Sequence, residues 1–183
     1  MKMDKVANSG NDEFYTPLYA IKPIEKYLKK GSTIWCPFDT KESLYCKYFF
    51  KMGYNVIYSS LNDGLDFFKI KPNREIDYII SNPPYSKKGE VLQRLFELKI
   101  PFAMLVGVVG LFESKKRFEM FKNNEFETMY FNKRISYFKN YEEQKPALHP
   151  PFSSIYLCSK ILPQKYIFEE IDTKETILIE GVH

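Results

Sequence analysis

Short apolar runs alternate with amphipathic segments along most of the chain. The apolar runs predict β-strands at Thr33–Cys36, Asn55–Ser59, Ile76–Ser81, Phe102–Val109, Phe126–Phe131 and Phe152–Cys158. Apolar residues at helical spacing predict helices at Pro17–Lys30, Glu42–Met52, Glu90–Leu98 and Ser114–Asn123. Because strands alternate with helices, the sequence predicts an α/β protein with a doubly wound, mostly parallel sheet, in a single domain spanning residues 1–183.

Three segments lie outside this alternation. Residues 1–12 are polar and are expected to be loose, and residues 132–151 form a polar stretch between two predicted strands. Residues 161–183 carry two lysines against five acidic residues, and the stretches YIFEEI and ETILIE within them are expected to be strands. We expect this acidic C-terminal segment to extend a sheet edge or to contribute to a dimer.

The net charge of +4 is unevenly distributed, because residues 161–183 carry −3 and the rest of the chain +7. A basic body suits a polyanion such as DNA. Charge alone fits a solvated, lysine-rich surface equally well. The candidate nucleic-acid contacts are Lys87, Lys88, Lys133, Arg134 and Tyr137.

Cysteine and histidine are too sparse to suggest a metal site or a disulfide framework. The three cysteines are far apart and form no C-x-x-C pair, and the two histidines are His149 and His183. No signal-peptide pattern or run of about 20 apolar residues occurs. These features favour a cytoplasmic protein that binds no metal and no membrane.

The stretch Ser81–Ser86, SNPPYS, follows a predicted strand and carries the most specific chemistry. Two prolines fix φ and remove two backbone donors, so the neighbouring carbonyl groups are held as acceptors. Asn82 adds a side-chain acceptor, and Tyr85 adds a ring that can stack on a flat substrate. Such an arrangement suits attack on an amino group conjugated to an aromatic ring, such as that of adenine, or on an amide.

Ligands of doubly wound sheets bind at the carboxyl ends of the strands, near the point where the strand order reverses. This rule places four segments on one rim of the predicted fold, including the polar stretch 132–151 as an active-rim loop. The other three segments are Pro37–Asp39, Ser59–Asp66 and Asn82–Tyr85.

Several of these motifs together resemble those of small phage-encoded DNA N-6-adenine methyltransferases and, more distantly, of EcoRI-type adenine methylases. The resemblance covers about residues 11–158. Its motifs are NDEFYTP (Asn11–Pro17), TIWCPFD (Thr33–Asp39), GLDFF (Gly64–Phe68), SNPPY and PPFSSIYLC (Pro150–Cys158). The resemblance implies a Rossmann-like class I methyltransferase fold, S-adenosylmethionine as cofactor and adenine in DNA, flipped out of the helix, as substrate.

The resemblance also implies residue roles. Tyr15 and Thr16 would lie at the cofactor carboxylate, and Pro37, Phe38 and Asp39 at its methionine end. Asp66 and Phe67 would contact the cofactor adenine. The catalytic set would be Asn82, Pro83, Pro84 and Tyr85. From the residues alone, Phe38 and Phe67 fit core positions almost as well, and Thr16 fits a helix cap.

The sequence departs from the resembled pattern in two places. Asp39–Ser43 replaces the glycine-rich turn that normally follows the first strand. The second strand ends without the acidic residue that usually binds the ribose hydroxyls, and Asp63 is the substitute we expect.

Two further interpretations therefore stay open. One is a catalytically inactive methyltransferase fold that binds DNA or a protein. The other is an amino-methyltransferase acting on RNA or protein.

Only 43 residues separate Asp39 from Asn82, which leaves no room there for a target-recognition domain. We therefore expect short or loose sequence specificity, a homodimer or a specificity partner.

Overall fold

A computed structural model describes residues 14–174 and shows a seven-stranded sheet in the order β2-β1-β3-β4-β8-β5-β9. Every strand is parallel to its neighbours except β8, which runs antiparallel between β4 and β5. This topology confirms the predicted doubly wound, mostly parallel sheet. The strands are β1 Thr33–Cys36, β2 Asn55–Tyr58, β3 Tyr78–Ser81, β4 Phe102–Gly107, β5 Glu127–Phe131, β8 Ser154–Ser159 and β9 Tyr166–Glu169.

Within residues 14–174, four α-helices pack on the sheet: α1 Leu18–Glu25, α2 Leu44–Lys51, α3 Lys88–Leu98 and α4 Lys115–Lys122. Ser43 and Ser114 cap α2 and α4 by accepting hydrogen bonds from Cys46 N and Arg117 N. Helix α1 is shorter than predicted. Its continuation tightens into i→i−3 hydrogen bonds, from Tyr27 N to the carbonyl of Ile24 and from Leu28 N to that of Glu25.

Alternate residues along each central strand enter two separate cores, as the pleat of a strand requires. Ile34, Ile80 and Leu105 face a core that includes α1 and α2. Trp35 and Ile79 face the opposite core, which includes α3 and α4. All six residues of β4 are buried, as expected of a strand covered on both faces.

The order of the strands reverses between β1 and β3. β2 lies on one side of β1, whereas β4 lies on the far side of β3. The carboxyl ends of β1 and β3 therefore form the crevice where doubly wound folds bind their ligands.

Residues 132–151 are more structured than a polar loop. They contain a hairpin of β6 (Tyr137–Phe138) and β7 (Pro146–Leu148), and Ile135, Tyr137 and Phe138 are buried. The apolar side chains of Ile135–Phe138 pack into the α1 and α2 core and fold the segment onto the body. The predicted YIFEEI strand is confirmed as β9, whereas residues 1–12 and the ETILIE stretch lie outside the described residues.

Candidate active site

An open cleft lies at the crevice between β1 and β3. It is lined by residues 14–16, by residues 38–40 together with Ser43, by residues 60–62, by residues 82–84 and by Tyr141. The first of these segments precedes α1, and the next three follow β1, β2 and β3. The cleft therefore contains the predicted residues Tyr15, Thr16, Phe38, Asp39, Asn82, Pro83 and Pro84.

Asn82 is held in one orientation by the segment that precedes α1. Its Nδ2 donates to the carbonyl oxygen of Phe14 at 3.0 Å and to Oγ1 of Thr16 at 3.2 Å. A carbonyl can only accept, so the amide nitrogen must face Phe14. The opposite atom, Oδ1, is buried and has no hydrogen-bond partner among residues 14–174. An acceptor is thus fixed in a cleft wall, and a buried acceptor without a partner costs about 1–3 kcal/mol until a donor arrives.

Tyr85 is anchored through its hydroxyl. It donates to the hydroxyl of Tyr137 at 2.7 Å, which in turn donates to Oγ of Ser154 at 2.8 Å. The ring of Phe14 stacks on Tyr85, with centroids 4.7 Å apart and planes at 23°. Phe152 approaches Tyr85 edge-on at 5.5 Å. Tyr85 therefore lies behind Phe14 and does not line the cleft as the structure stands.

The structure corrects one predicted role. Tyr137 is fully buried and is committed to hydrogen bonds with Tyr85 and Ser154, so it cannot contact nucleic acid directly. Its β6 position turns the side chain inward, which the polar composition of the surrounding segment did not reveal.

Asp39 follows β1 and is only 7% exposed, yet it lines the cleft. Its carboxylate accepts a 2.5 Å hydrogen bond from Oγ of Ser81, the last residue of β3. Burial raises the pKa of the Asp39 carboxyl to about 6, against the opposing effect of hydrogen bonds from Ser81 and Ser43. At neutral pH the carboxylate is mostly ionised, and it is the only acidic side chain among the described residues of the cleft wall.

Tyr141 also lines the cleft. Burial, and then the neighbouring charge of Asp39, raise the pKa of the Tyr141 hydroxyl well above its usual value. Its ring contacts Tyr15 edge-on at 4.6 Å. Tyr141 belongs to residues 132–151, so this segment contributes to the cleft wall.

The residues predicted at the ribose and adenine of the cofactor lie outside the cleft wall. Asp63 is exposed and accepts a 2.6 Å hydrogen bond from Oγ of Ser60. Asp66 accepts from the backbone N of Phe68 at 3.0 Å. Ser60 and Asn62 take the lining positions after β2 instead.

The two phenylalanines predicted to contact the cofactor, Phe38 and Phe67, divide between cleft and core. Phe67 is buried against Trp35 and Phe38, with ring centroids at 5.4 and 4.9 Å, so the core position open from the sequence is the observed one. Phe38 is half-buried and contributes to the cleft. Pro37 is buried behind it and does not line the cleft.

The predicted phosphate contacts differ in their availability. Lys88 is tied down, because its Nζ donates to the carbonyls of Gly107 and Val109, and burial lowers its pKa. Lys87, Lys133 and Arg134 are exposed. The three exposed residues remain candidates, whereas Lys88 holds α3 to the loop after β4.

Sequence reasoning missed several lining residues. Phe14 and Ser43 were given no role, although Phe14 lies within the NDEFYTP motif and Ser43 ends the Asp39–Ser43 stretch. Ser60 and Asn62 lie within Ser59–Asp66, which was placed on the rim, but neither was given a role. Ser81, the donor to Asp39, could have been found as the strand residue directly before Asn82.

Residues 14–174 contain no cluster of three or more His, Cys, Asp or Glu side chains arranged to hold a metal ion. Over the same residues, no helix has the length and apolar character that a membrane crossing needs.

A scan against protein-family models and a search of curated proteins found no match. Among solved structures, the chain is similar to a modification subunit of a putative type I restriction enzyme from Vibrio vulnificus YJ016. The TM-score is 0.53 at 12% identity, and the match covers 85% of this chain and 46% of that chain. It is also similar to a TehB-like SAM-dependent methyltransferase from Corynebacterium glutamicum ATCC 13032 Kitasato, with a TM-score of 0.47 at 13% identity, covering 85% of this chain and 91% of that chain.

The chain thus spans about half the length of the modification subunit. That likeness concerns the fold alone, and together with the strand order it confirms the predicted Rossmann-like class I fold.

Proposed function

We propose that this protein transfers a methyl group from S-adenosylmethionine to the exocyclic amino group of adenine in DNA. The observation that carries the proposal is the orientation of Asn82, whose Oδ1 is buried, unpartnered among residues 14–174 and fixed beside two prolines. An amino group offers the hydrogens that this acceptor lacks. We further propose that it acts in the cytoplasm of a bacterial host, where phage-encoded enzymes of the kind it resembles would meet DNA.

The cleft residues fit the methionine end of the cofactor. Oγ1 of Thr16 accepts from Asn82, so its own hydrogen is available to a carboxylate. The Asp39 carboxylate complements the cationic ammonium and sulfonium groups. At the ribose end, Ser60 and Asn62 offer hydroxyl and amide groups in place of the usual acidic residue, and Tyr15 and Phe38 add apolar surface.

The chain's residues act on the target amino group. When bound, S-adenosylmethionine supplies an electrophilic methyl group. Asn82 Oδ1 accepts a hydrogen bond from the amino group, which localises the nitrogen lone pair and stabilises the positive charge that develops on nitrogen. Thr16 and the carbonyl of Phe14 keep Asn82 in position for this role. The methylated nitrogen then loses its extra proton to solvent, so no strong general base is needed.

DNA would reach the cleft across an exposed basic rim. Lys87, Lys133 and Arg134 are exposed, and such residues bind phosphates with a strong dependence on salt. A base within a duplex must be flipped out, at a cost of a few kcal/mol, before its amino group reaches Asn82. We further propose that sequence recognition depends on a short site, on a second copy of the chain or on a partner protein.

The test is mass spectrometry of nucleosides from DNA of a methylase-free host that expresses the protein. N6-methyladenine is expected with the wild type and is expected to be lost with Asn82→Ala. Asn73→Ala is the matched control, because Asn73 is exposed and lies before β3, at the opposite end of the strand from Asn82. If the wild-type protein binds S-adenosylmethionine but the DNA of the host contains no N6-methyladenine, adenine in DNA is not its substrate.

One observation favours a second candidate, a binding module without catalysis. The cleft has a cavity volume of about 200 Å³, below the roughly 300–1,000 Å³ of typical small-molecule sites, and Asp63 lies outside it. Calorimetry with S-adenosylmethionine separates the two functions. Absence of binding at millimolar S-adenosylmethionine would favour the binding module. Methylation of RNA or protein, with DNA left unmethylated, would show that the substrate is not DNA.

A further inference from the structure

The ring of Phe14 lies over the aromatic face that a flipped base would need. Phe14 lines the cleft, and its ring stacks nearly parallel on Tyr85 at 4.7 Å. A centroid separation of this size is the spacing of two stacked aromatic groups. The side chain of Phe14 thus has the position and the plane expected of a purine stacked on Tyr85.

The side-chain acceptor of Asn82, which lines the same cleft as Phe14, is inaccessible in this arrangement. Oδ1 of Asn82 is buried, so no amino group reaches it while the surrounding side chains stay in place. A side chain of the cleft wall must therefore move before Asn82 can bind a substrate. The candidates are Phe14 and Tyr85, and their contacts show which of the two can move at the lower cost.

Tyr85 is poorly suited to move. Its hydroxyl is bonded to Tyr137, which is bonded to Ser154 on β8. Phe152 also lies against the Tyr85 ring at 5.5 Å. Rotation of Tyr85 would break the hydrogen-bond chain inside the core, which costs more than the loss of one ring contact.

The backbone of the Phe14 segment is equally fixed, but the Phe14 ring is not. The carbonyl of Phe14 accepts from Asn82, and Tyr15 exchanges backbone hydrogen bonds with Phe138 at 2.9 and 3.4 Å. The ring is a half-buried hydrocarbon that contacts Tyr85 and, edge-on at 5.2 Å, Tyr137. A side-chain rotation at Phe14 therefore uncovers Tyr85 without breaking any of these backbone bonds.

We propose that Phe14 is an internal occupant of the base-binding subsite, which the target base displaces when it stacks on Tyr85. The proposal rests on the proposed function, because it assumes that an aromatic base is the ligand. It adds a specific gate residue: the ring closes the subsite until a base competes for it, while the Phe14 carbonyl keeps Asn82 aligned throughout.

The expected magnitude follows from the contact that must be broken. An aromatic pair is worth about 0.5–1.5 kcal/mol beyond its buried area, which corresponds to a factor of about 2–12 in a binding constant. Removal of the Phe14 ring should therefore tighten nucleobase binding by this factor, opposite to the effect of deleting a residue that contacts the ligand.

The test is titration of the full chain with 2-aminopurine 2′-deoxyriboside, whose fluorescence is quenched on stacking. Phe14→Ala is expected to bind about 2–12-fold more tightly than the wild type. Phe14→Leu keeps most of the bulk but loses the ring, so its affinity for the nucleoside is expected to lie between those of the wild type and Phe14→Ala. It replaces Phe14→Ala in the comparison if that variant folds poorly. Tyr85→Ala is expected to lose the quenching with or without Phe14.

Equal or weaker binding by Phe14→Ala and Phe14→Leu overturns the gate and makes Phe14 a supporting ring instead. Absence of quenching in every variant, including the wild type, also overturns it. The nucleoside mass spectrometry described above judges the proposed function separately, because N6-methyladenine formed by the wild type supports methyl transfer whatever Phe14 does. Thermal unfolding of each variant verifies that the compared proteins are folded.

Discussion

The hydroxyl of Ser81 donates a 2.5 Å hydrogen bond to the carboxylate of Asp39 and thereby joins the ends of two neighbouring strands. Ser81 closes β3, and Asp39 follows β1. These strands flank the point where the sheet order reverses. The bond therefore holds a buried negative charge at the point where the strand order reverses, which is where doubly wound sheets bind their ligands.

Replacement of Asp39 by Asn should stabilise the folded protein at neutral pH. Burial raises the Asp39 pKa to about 6, compared with about 3.9 in an unfolded chain. Between these values the folded state holds more protons than the unfolded state, so the contribution of Asp39 to stability falls as pH rises from about 4 to 6. Urea denaturation should show Asp39→Asn more stable by roughly 2–3 kcal/mol at pH 7 and nearly unchanged at pH 4.

Asp77→Asn is a matched control, because Asp77 is a carboxylate outside the cleft whose Oδ2 accepts from Thr33 N. It should not reproduce the gain at pH 7. A loss of stability at pH 7 in Asp39→Asn would contradict the assignment of a costly buried charge.

Affinity for S-adenosylmethionine should fall in acid. The cationic end of the proposed cofactor would favour ionised Asp39, whereas the carboxyl is mostly protonated below its pKa of about 6. Affinity should decline by up to about tenfold per pH unit below 6 and level off above 7. Calorimetry at pH 5, 6 and 7 measures this change of affinity with pH. If Asp39→Asn shows the same pH dependence as the wild type, a group other than Asp39 causes it.

Prediction from the sequence succeeded where a pattern repeats over several residues. The continuous apolar run around Met104 can only be a strand buried on both faces, and it became the fully buried β4. The predicted helices Pro17–Lys30 and Glu42–Met52 are each followed directly by a glycine with positive φ, 76° at Gly31 and 85° at Gly53. The position of Asn82 followed from the strand that precedes it.

Side-chain direction within short segments was beyond reach of the sequence. Tyr137 and Tyr141 lie four residues apart in one polar stretch, yet Tyr137 enters the core and Tyr141 lines the cleft. A two-residue strand such as β6 is too short to show a period. The stack of Phe14 on Tyr85 joins residues 71 positions apart, which local pattern cannot predict.

The hydrogen bond between Tyr85 and Tyr137 should appear as an energetic coupling. Tyr137→Phe leaves Ser154 without its donor and Tyr85 without its acceptor, so it should cost about 1–3 kcal/mol of unfolding free energy. Tyr85→Phe should cost about 0.5–1.5 kcal/mol. Because both variants remove the same bond, the double variant should fall short of the sum by about 0.5–1.5 kcal/mol. Strict additivity in chemical denaturation would show that the bond contributes nothing.

Substitution of Gly107 by Ala should disturb the ring that abuts Tyr85. A Cβ at Gly107 would lie 2.6 Å from Cε2 of Phe152, closer than carbon atoms pack, and Phe152 contacts Tyr85 edge-on. The ring must shift, so we expect a loss of about 1–3 kcal/mol in unfolding free energy together with weaker quenching of 2-aminopurine by Tyr85.

Gly89→Ala is the matched control. Its Cβ would meet only the side chain of Arg117, nearest at Nη1 at 3.3 Å, so the stability of Gly89→Ala should change little. The double variant Gly107→Ala/Phe152→Leu should recover part of the stability that Gly107→Ala loses, because leucine is smaller than phenylalanine and has no ring. If the double variant is no more stable than Gly107→Ala, the clash with Phe152 is not the cause of the loss.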